Sequence, residues 1–387
     1  MVFSYLAALL PFLPLKQTPI TTTSVLIPYT TEWVHALEQL YNVFPHSSNS
    51  TKSDACLFDV PKFNCTSFYW EDGIAKRDVR HLRPQDIKAV ISIGDSISAG
   101  FGMQTARPPF GTVWEYRGKV FSSGSDPDEY TIANFLSSYT DTKGGPAGIT
   151  MPLARGKGLN GAISGGVVQT LDEEVTRLVH QLSHKEYADI RDDWKLITVL
   201  IGANNLCGLC AAPSTGLPDQ ATADAFEHHL RLALERLRTE IGHTFVNLMA
   251  MFSVSVVYDA ARGEQYCEFL MDKSNMYICP CAQGTDEDRR AADDMVKEYN
   301  LRMYKVADEF QIYDDFTVVV QPALTAFDVA KYKQAYFSGM DCFHPNLCAN
   351  QIMAIALWNN MFSTEKHRPV DASEINIDCP SAYDYIQ

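Results

Sequence analysis

Basic side chains and long apolar runs are both scarce in this sequence of 387 residues. Lysine and arginine number 32, against 47 aspartates and glutamates, and the formal net charge is -15. A surface this acidic repels the phosphates of nucleic acids, so we expect no nucleic-acid partner. Beyond the first residues, no stretch is apolar enough for a transmembrane helix. The composition, 46% apolar and 20% charged, is instead typical of a globular protein.

The N-terminal segment and the cysteines both point to the secretory pathway. Residues 1–20 begin with an apolar run that is too short to span a bilayer and suits a signal peptide, although an ordinary buried segment would also fit. With a signal peptide, the even number of ten cysteines favours disulfide bonds. The sequons at Asn49 and Asn64 would allow N-glycosylation. We therefore expect a secreted, extracellular glycoprotein.

The spacing of the cysteines leaves their connectivity open. Three close pairs could form local bridges: Cys56/Cys65, Cys207/Cys210 and Cys342/Cys348. Cys207 and Cys210 also have redox spacing, but they do not open a thioredoxin-like unit, so structural bridging is the preferred interpretation. Cys267, Cys279 and Cys281 could suggest a zinc site, yet no histidine pair has ligand spacing, and we expect no metal.

Four apolar runs of strand length follow an irregular lead-in, which we place at residues 21–85. The runs cover residues 87–93, 194–201, 244–252 and 315–320. Most are rich in valine and isoleucine, as are parallel strands that are covered on both faces. The spacing of apolar residues predicts helices at 171–182, 226–241, 287–310 and 349–362. A capping box of Asp224 and Glu227 would begin the second of these helices.

The alternation of strands and helices predicts an α/β fold, a three-layer α/β/α sandwich with a mainly parallel sheet. We assign it to residues 86–365, followed by a C-terminal tail at 366–387 that offers no membrane anchor. No internal repeat and no second core are visible. Residues 253–284 interrupt the alternation and predict a long, disulfide-linked excursion that could border the active site.

The tripeptide Gly94-Asp95-Ser96 follows the first predicted strand, at the edge of a parallel sheet where reactive groups gather. A serine at the start of the next helix meets free backbone N–H groups and the positive end of the helix dipole, which favour an oxyanion. In the alternative interpretation, Ser96 only caps the helix. The tripeptide alone does not decide between the two.

Asp341 stands three residues before His344, so that the two side chains can share one turn. The carboxylate can hold the imidazole Nδ1–H and leave Nε2 to take a proton from a serine, which is a weak nucleophile without such a base. Taken alone, the pair could equally be a surface ion pair.

Gly165 and Asn204 are candidate donors to an oxyanion. Gly165 precedes the helix at 171–182, and Asn204 follows the strand at 194–201. An acyl-transfer site needs preorganised N–H donors, each worth roughly 3–4 kcal/mol. The alternatives are a glycine turn at Gly165 and an Asx turn at Asn204.

Four blocks in one order resemble the GDSL (SGNH) hydrolase superfamily. They are Gly94-Asp95-Ser96, Gly165, Gly202-x-Asn204 and Asp341-x-x-His344. Other segments resemble animal phospholipase B in particular, and they include His81-Leu82-Arg83-Pro84, Tyr116-Arg117-Gly118, Val320-Gln321-Pro322 and Leu357-Trp358-Asn359-Asn360. Each block is weak by itself, but the ordered set is specific and covers residues 80 to 365.

The resemblance implies a flavodoxin-like fold and the hydrolysis of acyl esters, typically of phospholipids and lysophospholipids, without a metal or cofactor. Ser96 would be the nucleophile, His344 the general base and Asp341 the carboxylate that orients it. Ser96, Gly165 and Asn204 would form the oxyanion hole, and the reaction would pass through an acyl-enzyme. The expected partners are the ester substrate and, transiently, a membrane or micelle surface, with the protein itself a monomer.

Two residues depart from the family pattern. Ile97 stands where leucine is usual, and Asn205 stands where aspartate is usual. Neither position carries a proton in the reaction, so we expect local changes rather than loss of catalysis. Two other functions remain open: an esterase of short acyl groups such as acetylated sugars, and a secreted binding protein that keeps the fold without turnover.

Overall fold

A computed structural model of the protein describes residues 59–66, 73–74, 77–104, 114–152, 158–272, 278–322, 325, 329, 333–363 and 375–387. The predicted signal peptide at 1–20 and the Asn49 sequon lie outside the described residues. Asn64, in the second sequon, is described and exposed.

Four parallel strands form the sheet of the described residues, in the order β1-β2-β3-β4. They are β1 (Ile87–Gly94), β2 (Trp194–Leu200), β3 (Thr244–Met249) and β4 (Phe316–Gln321). Every residue of β2 and β3 is buried, because helices cover both faces of the sheet. The predicted strands and the predicted parallel α/β/α class are therefore confirmed.

An extended segment at residues 159–163 runs along the outer edge of β1. Ser92 donates to the carbonyl of Leu159 at 3.2 Å and accepts from Gly161 at 2.8 Å, and Ile163 donates to the carbonyl of Gly94 at 2.9 Å. The segment at 159–163 thus lies along one edge of β1, and β2 lies along the other edge. The chain therefore proceeds in opposite directions across the sheet from β1, which makes β1 the point where the strand order reverses. Open α/β sheets bind ligands at the carboxyl edge of such a switch point.

Helices flank this sheet and pack in two groups. The helices are α1 (Ser96–Ala99), α2 (Ile132–Ser137), α3 (Leu171–Leu182), α4 (Ala203–Gly208), α5 (Leu217–Gln220), α6 (Ala223–Glu240), α7 (Val256–Ala260), α8 (Gln265–Asp272), α9 (Pro280–Gln283), α10 (Asp286–Glu309) and α11 (Leu347–Phe362). In one group, α3 and α10 pack on α6, and in the other α2 packs on α11. Among the described helices, none combines the length and hydropathy that crossing a membrane requires.

The predicted capping box at α6 is wrong. Thr222 is the N-cap, and its hydroxyl accepts from the N–H of Ala225 at 3.3 Å. The Glu227 carboxylate instead forms salt bridges. Its Oε1 lies 2.6 Å from the Arg231 guanidinium, and the carboxylate also pairs with Arg302 and Lys305 of α10. Arg231 lies on α6 itself, whereas Arg302 and Lys305 link Glu227 to α10, an arrangement that depends on the packing of two helices far apart in sequence.

The disulfides join distant segments rather than close pairs. They are Cys65–Cys379, Cys207–Cys279, Cys210–Cys281 and Cys267–Cys342. Cys348 is also disulfide-bonded. The local Cys56/Cys65, Cys207/Cys210 and Cys342/Cys348 bridges are therefore wrong. The excursion at 253–284 contains α7, α8 and α9. Three of these disulfides hold it to Cys207 on α4, to Cys210 just after α4 and to the Asp341–His344 turn.

The described C-terminal residues pack on the sheet-bearing unit. Ile386 is buried and donates to the carbonyl of Leu82 at 2.7 Å, and Gln387 donates to that of Met361 at 2.8 Å. Together with the Cys65–Cys379 bridge, these bonds tie residues before β1 to the C-terminal segment.

Candidate active site

Ser96 lies where β1 ends and α1 begins. Gly94 must be glycine there, because a Cβ would come within 2.0 Å of the Leu200 carbonyl oxygen on β2. Asp95 then caps α1 by accepting from the N–H of Ile97 at 2.9 Å. The cap is therefore Asp95, and the Ser96 side chain is free for another contact.

His344 provides that contact from the far end of the chain. Its Nε2 lies 2.7 Å from the Ser96 Oγ, and its Nδ1 lies 2.6 Å from the Asp341 Oδ2. All three side chains are buried, with less than a tenth of each residue exposed. The structure thus brings together the three residues whose spacing suggested a serine, a base and an orienting carboxylate.

Asp341 is held in its charged form by its surroundings. Burial alone would raise its pKa, but the attraction of His344 and hydrogen bonds from His344 and Phe343 together lower it below the usual aspartate value. The backbone N–H groups of Phe343 and His344 both donate to Asp341 Oδ1, at 2.9 and 3.0 Å. The imidazole is therefore positioned by a carboxylate that is itself fixed.

Gly165 lies on a loop that is bonded to the end of β1. Ile163 donates to the Gly94 carbonyl, and Gly166 donates to the Ile163 carbonyl at 2.8 Å. Gly165 has a φ of 81°, which a residue with a side chain rarely adopts. Across the described residues, no hydrogen-bond partner is found for the backbone N–H of Ser96 or Gly165. Both are therefore available as donors to a ligand.

Asn204 stands on the first turn of α4, half-buried beside the same loop. Its side-chain Nδ2 donates to the carbonyl of Gly166 at 2.7 Å. An amide carries two hydrogens, so this bond fixes the side chain and leaves one hydrogen for a ligand.

Asn205, one of the two departures from the family pattern, is buried, and its side-chain amide is hydrogen-bonded to neighbouring segments. Its Oδ1 accepts from Val168 at 2.9 Å, while its Nδ2 donates to Gln169 at 3.1 Å and to the carbonyl of Gln220 at 3.2 Å. A carboxylate could not donate to Gln220, so this set of bonds suits an amide.

A buried ion pair that sequence reasoning missed supports the Gly165 loop. Arg117 and Glu115 are almost fully buried, with their charged groups 2.8 Å apart. Arg117 donates to the carbonyls of Asn160 and Ala162, and Ser164 donates to Glu115 at 2.6 Å. The resemblance included the segment Tyr116-Arg117-Gly118, but nothing in the neighbouring sequence indicated which groups Arg117 would bind.

Glu174 is a second missed residue, fully buried on α3 beneath the nucleophile turn. It accepts from the N–H of Gly94 at 2.7 Å. Burial raises its pKa well above the ordinary value, outweighing that hydrogen bond and one from Thr170. The Thr170 hydroxyl also contacts the Val167 carbonyl at 2.8 Å. Because a hydroxyl has one hydrogen, both Thr170 contacts are hydrogen bonds only if Glu174 is protonated.

Potential metal ligands cluster at one place among the described residues, Glu264 with Cys267 and Cys342. The two sulfurs are joined in a disulfide and are not thiolates, so this group does not suit a metal ion.

A family model described as GDSL-like Lipase/Acylhydrolase matches residues 90–357. Among curated proteins, "Phospholipase B1, membrane-associated" of Rattus norvegicus is 28% identical over 315 residues, covering 78% of this chain and 21% of the relative. The Homo sapiens protein of the same name is 28% identical over 338 residues, covering 82% and 22%. The chain spans about a fifth of the length of these relatives.

Solved structures that match part of this chain include Axe2, an acetylxylan esterase from Geobacillus stearothermophilus. It is 16% identical, with a TM-score of 0.38, over 72% of this chain and 95% of that chain. The lipase Lip_vut3 from a goat rumen metagenome is 13% identical, with a TM-score of 0.37, over 70% and 95% of the two chains.

Proposed function

The chain belongs to the GDSL-like lipase/acylhydrolase family, a family of carboxylic ester hydrolases, and from this we propose that it is a secreted enzyme that cleaves acyl esters of phospholipids or lysophospholipids. The buried hydrogen-bonded chain from Ser96 through His344 to Asp341 carries the proposal. A protein that only bound a ligand would not need a serine hydroxyl in contact with an oriented imidazole.

In the proposed first half-reaction, His344 Nε2 takes the proton of Ser96 Oγ as that oxygen attacks the ester carbonyl. The carbonyl oxygen becomes an oxyanion, which accepts hydrogen bonds from the N–H groups of Ser96 and Gly165 and from the Asn204 amide. His344 then gives its proton to the leaving alcohol, and the acyl group remains bound to Ser96.

In the second half-reaction, His344 takes a proton from water, and the resulting hydroxide attacks the acyl carbonyl. The same three donors hold the second oxyanion. Collapse returns the proton from His344 to Ser96 Oγ and releases the carboxylic acid. The low pKa of Asp341 supports this cycle, because a permanently charged carboxylate stabilises the imidazolium in both halves.

The lipid substrate and the location are supported by different observations. The two named relatives are phospholipases by name, and both are called membrane-associated. Four disulfides within the described residues favour an oxidising compartment. We propose that the hydrolase unit covers residues 86–365, with a signal peptide at 1–20 before the lead-in at 21–85 and a tail at 366–387.

A substrate panel tests the proposal. The full chain is offered phosphatidylcholine, lysophosphatidylcholine and water-soluble acetyl esters, as wild type and as Ser96→Ala. We expect release of fatty acid from the lipids and a loss of at least about ten-thousandfold in kcat for Ser96→Ala.

Ser98→Ala is the matched control for this panel. Ser98 lies on the same short helix, and its hydroxyl is buried without a partner among the described residues. Removing it costs no hydrogen bond, so lipid turnover should persist. Unchanged turnover in Ser96→Ala would refute the mechanism, whereas turnover of acetyl esters alone would refute the lipid substrate.

A further inference from the structure

An apolar cavity of about 140 Å³ is lined by the residues that directly follow Ser96 and His344 in the chain, and we propose that it binds the linear acyl chain of the substrate and sets the preferred chain length. This inference rests on the proposed ester hydrolysis and adds a binding site to it. The lining residues used in the argument are Ile97, Ser253, Thr325, Pro345, Ala349 and Met353.

The position of the cavity follows from two sequence neighbours of the reacting side chains. Ile97 directly follows Ser96, and Pro345 directly follows His344, and both line the cavity. Because Ser96 Oγ and His344 Nε2 are 2.7 Å apart, these two wall residues each lie one position along the chain from a side chain of the reacting pair. An acyl chain on Ser96 would then extend into this apolar space.

The chemistry of the walls suits a hydrocarbon. Most of the lining side chains are apolar, and the aliphatic hydroxyls in the wall, those of Ser253 and Thr325, are already bonded to protein groups. The Thr325 hydroxyl donates to the Pro322 carbonyl at 2.7 Å, and the Ser253 hydroxyl is bonded to Ser255 and Asp293. Both hydroxyl hydrogens are already used, so a sugar would find no donor in either group and would lose hydration against mostly apolar walls.

The walls are also attached firmly to the His344 turn. Ser338 donates to the His344 carbonyl at 2.7 Å, and Asn346 donates to the Tyr336 carbonyl at 2.9 Å. Tyr336 and Phe337, which line the cavity, are thereby held against the turn that carries the base. Backbone hydrogen bonds thus connect this wall of the cavity to the turn that carries His344.

The volume indicates the length of chain that fits. One water-sized group needs roughly 10–15 Å³ of such space, so the cavity holds on the order of ten groups the size of a methylene. An acetyl group would leave most of it empty. Each buried methylene is worth about fourfold in binding, so kcat/KM should rise with chain length up to about ten carbons and then level off.

The test measures kcat/KM of the full chain on 4-nitrophenyl esters from acetate through octanoate to palmitate, each below its micelle concentration. The filling variant is Ala349→Phe, since Ala349 is nearly fully buried and its side chain faces the cavity. We expect the octanoate-to-acetate ratio of kcat/KM to exceed about a hundred in the wild type and to fall at least tenfold in Ala349→Phe.

Two further variants complete the test. Ala291→Phe makes the same substitution at an exposed position of α10, and it should leave the ratio unchanged. Met353→Ala enlarges the cavity and should move the preferred length to longer chains; it also decides the matter if Ala349→Phe does not fold.

The outcomes separate this inference from the proposed function. If no ester is hydrolysed, ester hydrolysis itself is wrong, and the inference is wrong with it. If esters are hydrolysed but the chain-length profile is flat, or is unchanged in both Ala349→Phe and Met353→Ala, the proposed function stands and the acyl-chain site is refuted.

Discussion

The hydroxyl of Ser164, the residue directly before Gly165, donates to the buried carboxylate of Glu115 at 2.6 Å. Glu115 in turn is paired with Arg117, which holds the carbonyls of Asn160 and Ala162. One ion pair therefore positions the whole loop from Asn160 to Gly165. Preorganised donors act only when their geometry is fixed before the reaction, so this loop needs such support.

Ser164→Ala should lower kcat about tenfold with little change in KM, because a misplaced donor weakens the transition state more than substrate binding. Thr150→Val is the matched control. Thr150 donates to the same carboxylate at 3.2 Å but lies outside the loop, so kcat should persist. Steady-state kinetics on a soluble ester measures both; an equal fall in kcat for the two variants would contradict a positioning role for Ser164.

Removal of the Cys267–Cys342 disulfide should lower both stability and kcat. Cys342 lies between Asp341 and His344 and has a φ of 54°, so the bridge holds the turn in a backbone conformation that side chains disfavour. Its sequence separation is 75 residues, and closing a loop of that length stabilises the fold by about 4 kcal/mol. Urea unfolding and kcat should be measured for the double variant Cys267→Ala/Cys342→Ala.

Two companion double variants separate the effect of the disfavoured backbone conformation at Cys342 from the effect of losing a cross-link. Cys267→Ala/Cys342→Gly lacks the bridge but accepts the positive φ, so it should recover part of kcat. Cys210→Ala/Cys281→Ala removes a bridge that nearly duplicates Cys207–Cys279. It should cost much less stability and leave kcat intact, and an equal loss of kcat there would argue against a special role for the Cys342 turn.

Glu174→Gln should preserve the fold and activity, whereas Glu174→Ala should destabilise the protein by about 1–3 kcal/mol. The amide reproduces a protonated acid, accepting from Gly94 and donating to Thr170, while alanine leaves the Gly94 N–H buried and unpaired. Chemical denaturation measures both variants. A large loss of stability in Glu174→Gln at neutral pH would show that the charged form is needed.

Asp95→Asn should stabilise the protein above pH 6 and not below pH 4. Burial raises the pKa of Asp95 to about 6, against a hydrogen bond from Ile97 and the attraction of His344. A raised pKa in the folded state means that stability is full below the unfolded value of 3.8 and is lost as the pH rises through about 6. A shift of two pKa units corresponds to a gain of about 3 kcal/mol for the variant.

Asparagine keeps the side-chain oxygen that caps α1, but its NH2 group replaces the buried Oδ2, which has no partner among the described residues. The pH dependence of the difference between the two proteins therefore reports the charge. Unfolding free energies from urea titrations between pH 4 and pH 8 give the curve for each protein. Parallel curves across that range would show that Asp95 does not titrate with an altered pKa.

Much of the fold and of the candidate site could be predicted from local patterns. Each strand was expected within a few residues of where it lies, because a buried parallel strand is a continuous apolar run. The Asp341 and His344 side chains were expected to meet, because three residues place them on one turn. That Ser96 would join them followed from its place at a strand end and from the resemblance of four ordered blocks.

Other features depended on contacts between distant segments of the folded chain. No local signal paired Cys267 with Cys342, matched Ser164 to Glu115 or placed Glu174 beneath Gly94. Each contact joins segments whose separation in space is set by the packing of helices on the sheet.

The sequence by itself determined which segments would be buried and which side chains could do chemistry, since apolar periodicity and residue type are local properties. Only the tertiary structure decided the charge of Glu174, the support of Gly165 and the cavity beside Ser96. Desolvation, pairing and enclosed volume arise between segments that meet only when the chain has folded.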